Sequence, residues 1–209
     1  MDISMYYIKH LFLILILIVL LGGCASSPSN IPSTAPEIKV QDSNIQEPSI
    51  DNLVTLYQSA LTELNNNNFE TAEKYFLEIT KTHPDFAGPW ANLALIYIKQ
   101  EHYEKAENYI QKSLEKNPEM AQALNMAGFI EERNGNINKA RYYYEKAIEK
   151  KPDYTLAYYN LALLYDVYLQ NIAEAIKHYQ QYLSLLDSED EKTEDWVEEL
   201  KFNLTSNDT

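Results

Sequence analysis

The chain has 209 residues, 45% of them apolar, enough for one or two domains with a real hydrophobic core. Its formal charge of −14 argues against nucleic acid as a partner, because phosphate recognition needs clustered Lys and Arg. The one cysteine, Cys24, excludes an intramolecular disulfide.

The N-terminal stretch reads as a targeting segment. Lys9 and His10 precede an apolar run from Leu11 to Leu21. That run is shorter than the roughly 18–20 residues an ordinary membrane-crossing helix needs, and it fits the apolar region of a secretory signal. Leu21-Gly22-Gly23-Cys24 then looks like a bacterial lipobox. The resemblance implies that residues 1–23 are a lipoprotein signal peptide and that Cys24 is lipidated and becomes the first mature residue. With Ala25 and Ser26 rather than an aspartate after it, the expected address is the periplasmic face of the outer membrane. Buried acyl chains contribute roughly 0.8 kcal/mol per methylene, so a multiply acylated cysteine anchors stably. Residues 24–50 follow as the lipidated cysteine and a tether. Its four prolines and many Ser, Asn and Gln carry no apolar period, and it reads as disordered.

From residue 51 the pattern changes. Pro84, Pro118 and Pro152 are evenly spaced, and the same residue types return around each. With each proline at position 32 of a unit, position 8 reads Ala60, Ala94, Gly128 and Ala162, and position 20 reads Ala72, Ala106 and Ala140. Position 24 reads Phe76, Ile110 and Tyr144, and position 4 reads Leu56, Trp90, Leu124 and Tyr158. Small residues recur where two helices must touch, with large apolar ones beside them. In the second unit Trp90, Leu93, Ala94 and Tyr97 lie on one helical face. Gln100 to His102 turn the chain, and Tyr103 to Lys116 form a second helix, stopped by the proline.

This pattern resembles the tetratricopeptide repeat (TPR) family, whose unit is a helix–turn–helix of about 34 residues, the interval between these prolines. The resemblance implies an all-α, right-handed superhelical solenoid over residues 51–187, with about four TPR repeats near 53–86, 87–120, 121–154 and 155–187. The first repeat has Glu63 where the family favours an aromatic, and the fourth needs one inserted residue near Leu169 to Asn171. Asp85, Glu119 and Asp153, each following a repeat proline, suit the positive start of the next helix. Residues 188–204 read as an acidic linker and a C-terminal capping helix that buries Trp196, Val197, Leu200 and Leu204, and residues 205–209 as a disordered tail.

No chemistry stands out. His10, His83, His102 and His178 are not at metal-ligand spacing, and no phosphate loop or nucleophile elbow occurs. The expectation is no enzyme, no metal and no cofactor. In this family the first helices line a concave groove. Carried over by position, the resemblance implies groove residues Tyr57, Leu61 and Leu64 in the first repeat, and Ala91, Asn92, Leu95 and Ile98 in the second. Asn125, Phe129 and Arg133 follow in the third, and Tyr159, Asn160 and Leu163 in the fourth. Position 9 is apolar throughout (Leu61, Leu95, Phe129, Leu163), which packing between helices and a partner site explain equally well. Asn92 and Asn160 match the middle asparagine of the family's chaperone-binding carboxylate clamp, but Tyr57, Leu61, Gln122 and Met126 replace its other members. The asparagines are therefore expected to hydrogen-bond backbone between repeats.

The function implied is a membrane-anchored scaffold or adaptor. Its groove would hold another envelope protein or a peptide segment, assisting assembly of a pilus, a secretion or polysaccharide-export system, or a peptidoglycan hydrolase complex. The alternative is a self-assembling homodimer, paired through edges such as Tyr142, Tyr143 and Tyr144.

Overall fold

The computed structural model describes residues 50–206. The signal segment, Cys24, the tether up to residue 49 and residues 207–209 lie outside the described residues. Nine helices follow one another among them: α1 (Ile50–Asn65), α2 (Phe69–Thr82), α3 (Ala87–Lys99), α4 (Tyr103–Lys116), α5 (Ala121–Arg133), α6 (Ile137–Lys150), α7 (Thr155–Val167), α8 (Ile172–Ser184) and α9 (Glu191–Ser206). The first helix thus begins one residue before the expected start, and the last runs two residues into the expected tail.

Each repeat is an antiparallel pair, and its turn has one recurrent device. Asn67, Glu101, Gly135 and Gln170 all have positive φ, from 51° to 76°. They are position 15 of the four repeats once the inserted residue of the fourth is allowed for. A left-handed residue there lets the next N–H reach back over the helix end: Asn68, His102 and Asn136 donate to Glu63, Tyr97 and Glu131 carbonyls at 2.9, 2.8 and 2.8 Å. Glycine adopts this φ without strain, and Asn more readily than Glu or Gln. The position-11 side chain then closes over the turn. Glu63 and Glu131 accept from the amides of Asn68 and Asn136 at 2.8 and 2.7 Å. Tyr97 instead lies against His102. Glu63 is therefore no irregularity; it is one of two interchangeable solutions.

At the other end of each repeat the residue before the proline, His83, Asn117 or Lys151, is driven out of helical geometry, with φ near −133° to −143°. Asp85 and Glu119 lie one residue before the N-cap positions, Phe86 and Met120, at the positive start of the following helix as expected, but they do not cap it. Their carboxylates instead reach Lys116 and Lys150 at 2.8 and 2.6 Å, tying each loop to the end of the next repeat's second helix. These pairs are solvent-exposed and mark the register of the repeats more than they hold it.

The core is a chain of local clusters. Ala60, Ala72, Phe76, Ile79, Leu93 and Ile96 form one; Ala94, Ala106, Ile110, Ala123 and Ile130 form the next. Ala140, Tyr144, Leu161 and Leu164 continue it, and Ala162, Ala175, Tyr179, Val197 and Leu200 end it under α9. Tyr144 is fully buried, so it belongs to this core and not to a surface edge with the exposed Tyr142. At the N-terminal end, positions 1, 3 and 7 have no preceding repeat to cover them. Ala87, Pro89 and Leu93 are buried there in the second repeat, whereas Leu53 and Ser59 are half-buried and Thr55 is exposed. The Thr55 and Ser59 hydroxyls donate to carbonyls one turn back at 2.8 and 2.9 Å, giving the solenoid a self-satisfied polar end.

The C-terminal end is closed by α9. Asp190 accepts from the Thr193 N–H and hydroxyl and from the Tyr182 hydroxyl, at 3.2, 2.8 and 3.0 Å, fixing the start of α9 to α8. Thr193, Val197 and Leu200 face inward and Trp196 is half-buried, but Leu204, expected in the buried stripe, is 39% exposed. It lies a turn past Leu200, on the open side of a cleft shared with Ile172 and Trp196.

The tightest contact is at Gly128. A β-carbon there would sit 2.5 and 2.6 Å from two carbons of the Tyr144 ring. Gly128→Ala is therefore expected to cost about 1–3 kcal/mol by overpacking. Adding Tyr144→Ile together with Glu132→Ile, the pair that the second repeat carries as Ile110 and Ile98, should recover part of that loss in a urea unfolding curve.

Candidate protein-binding groove

First helices of successive repeats touch, α3 on α5 and α5 on α7, which places them on the inner side of the curve. Position 9 sits on that side. Leu61, Leu95, Phe129 and Leu163 are all half-buried. Leu61 packs on the first cluster, Phe129 on the second, and Leu95 on both. Each is thus seated in the core on one flank and open on the other. Ile98, Tyr57 and Tyr159 are likewise half-buried and extend the row.

Several residues expected to offer groove surface do not. Leu64 is 4% exposed and Ala91 fully buried. Leu64 turns toward Phe76 and Ile79, and Ala91 lies among Ala94, Ala123 and Met126 where α3 meets α5. Asn92 and Asn125 are 4% and 3% exposed, and Asn92 and Asn160, expected to bond backbone, bond side chains. The Asn92 amide donates to the Tyr57 hydroxyl at 2.9 Å, and its carbonyl accepts from Gln122 at 3.4 Å. The Asn125 carbonyl accepts from Asn160 at 3.0 Å. A position-5 side chain is thus joined to position 6 of the next repeat, twice. Tyr57 also dictates Gly88, where a β-carbon would meet its hydroxyl at 2.8 Å.

Two carboxylates have a role that sequence reasoning missed. Glu132 and Asp166 both occupy position 12, and they accept from Tyr144 and Tyr179, the position-24 tyrosines of their own repeats, at 2.9 and 3.4 Å. Where position 24 is Phe76 or Ile110, position 12 is apolar (Leu64, Ile98), so the pairing was visible in the repeat alignment. Asp166 also accepts from the Trp196 indole N–H at 2.8 Å, which fastens α9 to the end of the groove. Burial pushes both carboxyls above the ordinary carboxylate range, against the lowering effect of these donors.

Arg133 is the exposed member of the site. Its guanidinium lies 3.9 Å from the Tyr103 ring centroid and 5.9 Å from that of Phe129. Among the described residues there is no cluster of His, Cys, Asp and Glu suited to a metal, and no helix long and apolar enough to cross a membrane.

Helix pairs repeating at a fixed period, with small residues at their crossings and a row of half-buried apolar side chains along the first helices, define a protein-interaction scaffold of the tetratricopeptide type. Residues 51–191 match the family model described as the tetratricopeptide repeat protein 21 C-terminal ARM domain, and the chain belongs to that family. Solved structures share the solenoid. PilF of Pseudomonas aeruginosa is similar with a TM-score of 0.64 and 18% identity, over 74% of this chain and 69% of that one. A crystal structure of MamA gives a TM-score of 0.53 and 22% identity, over 66% of this chain and 80% of that one. The MamA RS-1 ArsTM double mutant gives 0.57 and 19%, over 72% and 84%. No curated protein matches the chain.

The raised carboxyls set the sign of a pH effect. A carboxyl whose pKa is higher in the folded state keeps its proton at a pH where the unfolded chain has lost it. Stability from Asp166 and Glu132 should therefore rise as pH falls into the range just above ordinary carboxylate titration. Glu149 and Glu174, held down by Lys146 and Lys177, work in the opposite direction. Asp166→Asn, which keeps an acceptor for Trp196, should shift the change in urea midpoint between about pH 7 and about pH 5 toward greater loss on acidification. Asp166→Ala should cost about 1–3 kcal/mol at either pH by removing the acceptor of the buried Tyr179 hydroxyl.

Proposed function

We propose that this protein is a non-enzymatic adaptor of the bacterial envelope, anchored through lipidated Cys24 to the periplasmic face of the outer membrane. Its groove holds a segment of another envelope protein during assembly of a larger complex. The observation that carries the reading is the row Leu61, Leu95, Phe129 and Leu163, one per repeat and each half-buried on the inner helices. A stripe needed only for packing would be covered on both flanks, as Leu93 and Leu161 are. An apolar strip open along one side suits the apolar face of a helix or an extended segment. The lipobox Leu21-Gly22-Gly23-Cys24 supports the anchor and the address.

A photocrosslinking residue placed at Phe129 in the native cell should give adducts with an envelope protein, while the same probe at exposed Tyr142 should not. Leu95→Glu with Phe129→Glu should abolish those contacts, read by a second probe at Leu163, with the helical circular dichroism retained. Loss of helicity in that double variant would return the stripe to the core and remove the adaptor reading. Cys24→Ser should move the protein from the membrane to the soluble fraction; retention in the membrane would overturn the lipid anchor.

A further inference from the structure

The two middle repeats carry a feature that the outer ones lack. Leu95 and Lys99 are four residues apart on α3, and Phe129 and Arg133 stand in the same relation on α5. One repeat period carries the first pair onto the second. Residues at i and i+4 share a helix face, and α3 and α5 touch, so two half-buried apolar groups lie beside two cations. In the first and fourth repeats the corresponding position holds Asn65 and Val167.

Neither cation has a carboxylate at ion-pair distance among the described residues, in a chain of net charge −14. The nearby acids bond to other groups, although Glu132 still feels the Arg133 charge, which lowers its pKa against the larger effect of burial. Glu131 is bonded to Asn136 and lies 3.6 Å from Lys139, and Glu132 accepts from Tyr144. Lys99 is half-buried, and its burial pulls its pKa down with no carboxylate opposing the shift. The Arg133 guanidinium carbon lies 3.9 Å from the Tyr103 ring centroid, a cation–π contact that places the side chain without neutralising its charge. Cations suit helix C-termini on macrodipole grounds, but α1 and α7 end without one.

We propose that the groove selects a partner segment in which a bulky apolar side chain and a carboxylate lie close together, the first seated on Leu95 and Phe129 and the second between Lys99 and Arg133. This rests on the groove reading above and names the chemistry of its occupant. Beside the apolar row of the inner helices an acidic group would be drawn to this pair, so the cations also set where along the solenoid the segment lies.

The test uses the detergent-solubilised full chain and an array of short amidated peptides, varied in apolar content and in Asp or Glu. The wild-type chain should enrich peptides with an acid within one helical turn of Leu, Ile or Phe. Lys99→Gln with Arg133→Gln should bind those peptides roughly tenfold more weakly or worse, as expected for losing a charge-assisted hydrogen bond, and should select apolar peptides without regard to acid. The charge-preserving pair Lys99→Arg with Arg133→Lys should keep the acid preference, which a merely structural role would not require. Apolar enrichment with no acid preference in the wild type would overturn this proposal and leave the groove standing. Equal selection by the Leu95→Glu, Phe129→Glu variant, or no selection at all, would overturn both. Selection seen only after deletion of residues 25–49 would make the chain's own tether the occupant and end the partner reading of this site.

Discussion

Two α-helices approach closely only where one of them gives up its side chain, and this protein meets that condition once per repeat. Position 8 of each first helix is Ala60, Ala94, Gly128 or Ala162, and position 20 of the second helix is Ala72, Ala106, Ala140 or Ala175. Beside them, position 24 fills the remaining space with Phe76, Ile110, Tyr144 and Tyr179. In the third repeat the ring of Tyr144 comes so near the first helix that even a methyl group is excluded, and Gly128 stands where the others have alanine. Once the crossing is set, the faces left over are set too: one packs on the neighbouring repeat and the other lines the inner side.

The polar contacts between repeats follow from that crossing. With each pair fixed, the first helices of successive repeats lie near enough for Asn92 to reach Tyr57 and for Asn160 to reach Asn125. The Tyr97 hydroxyl crosses from α3 to Glu73 of α2. At the last interface Asp166 and Asp190 do the same for α9, which packs where the first helix of a fifth repeat would. Among the described residues no buried side-chain nitrogen or oxygen lacks a partner, so these bridges complete the interior without an orphaned group. They are also directional, which gives each repeat one register against the next where apolar contact alone would tolerate sliding.

Most of this architecture was legible in the chain, because a fixed period repeats the same physical demand and each recurrence confirms the last. The prolines, the alanine positions, the turns and the capping helix are all in place. What escaped is pairwise. Leu64 and Ala91 were assigned to the groove by position number, yet a helix face has no sharp edge, and neighbouring clusters drew both inward. Asn92 and Asn125 looked like surface amides until the distant residues that satisfy them, one repeat away, were in view. The bonds of Glu132 and Asp166 depend on a tyrosine on the other helix of the pair. Position 15 is left-handed in every repeat but is Asn, Glu, Gly and Gln in turn, so the geometry recurs there while the residue type that would report it does not.

The half-burial of the position-9 row is what makes it suitable for binding. A fully exposed Leu or Phe must give up rotamer freedom when a partner arrives, and that cost is subtracted from the affinity. Leu95 and Phe129 have already lost most of it, because the second core cluster grips one flank of each. Arg133 is placed in the same way by the Tyr103 ring, which orders a long side chain without neutralising it. The middle of the solenoid is also where a helix has a neighbour on both sides, whereas the polar end at Thr55 and the cap at α9 each border solvent. Rigid apolar seats and an oriented cation therefore coincide in the two repeats best supported by their neighbours. A partner docking there would meet a surface that needs little reorganisation, and selectivity would come from matching its charge as well as its shape.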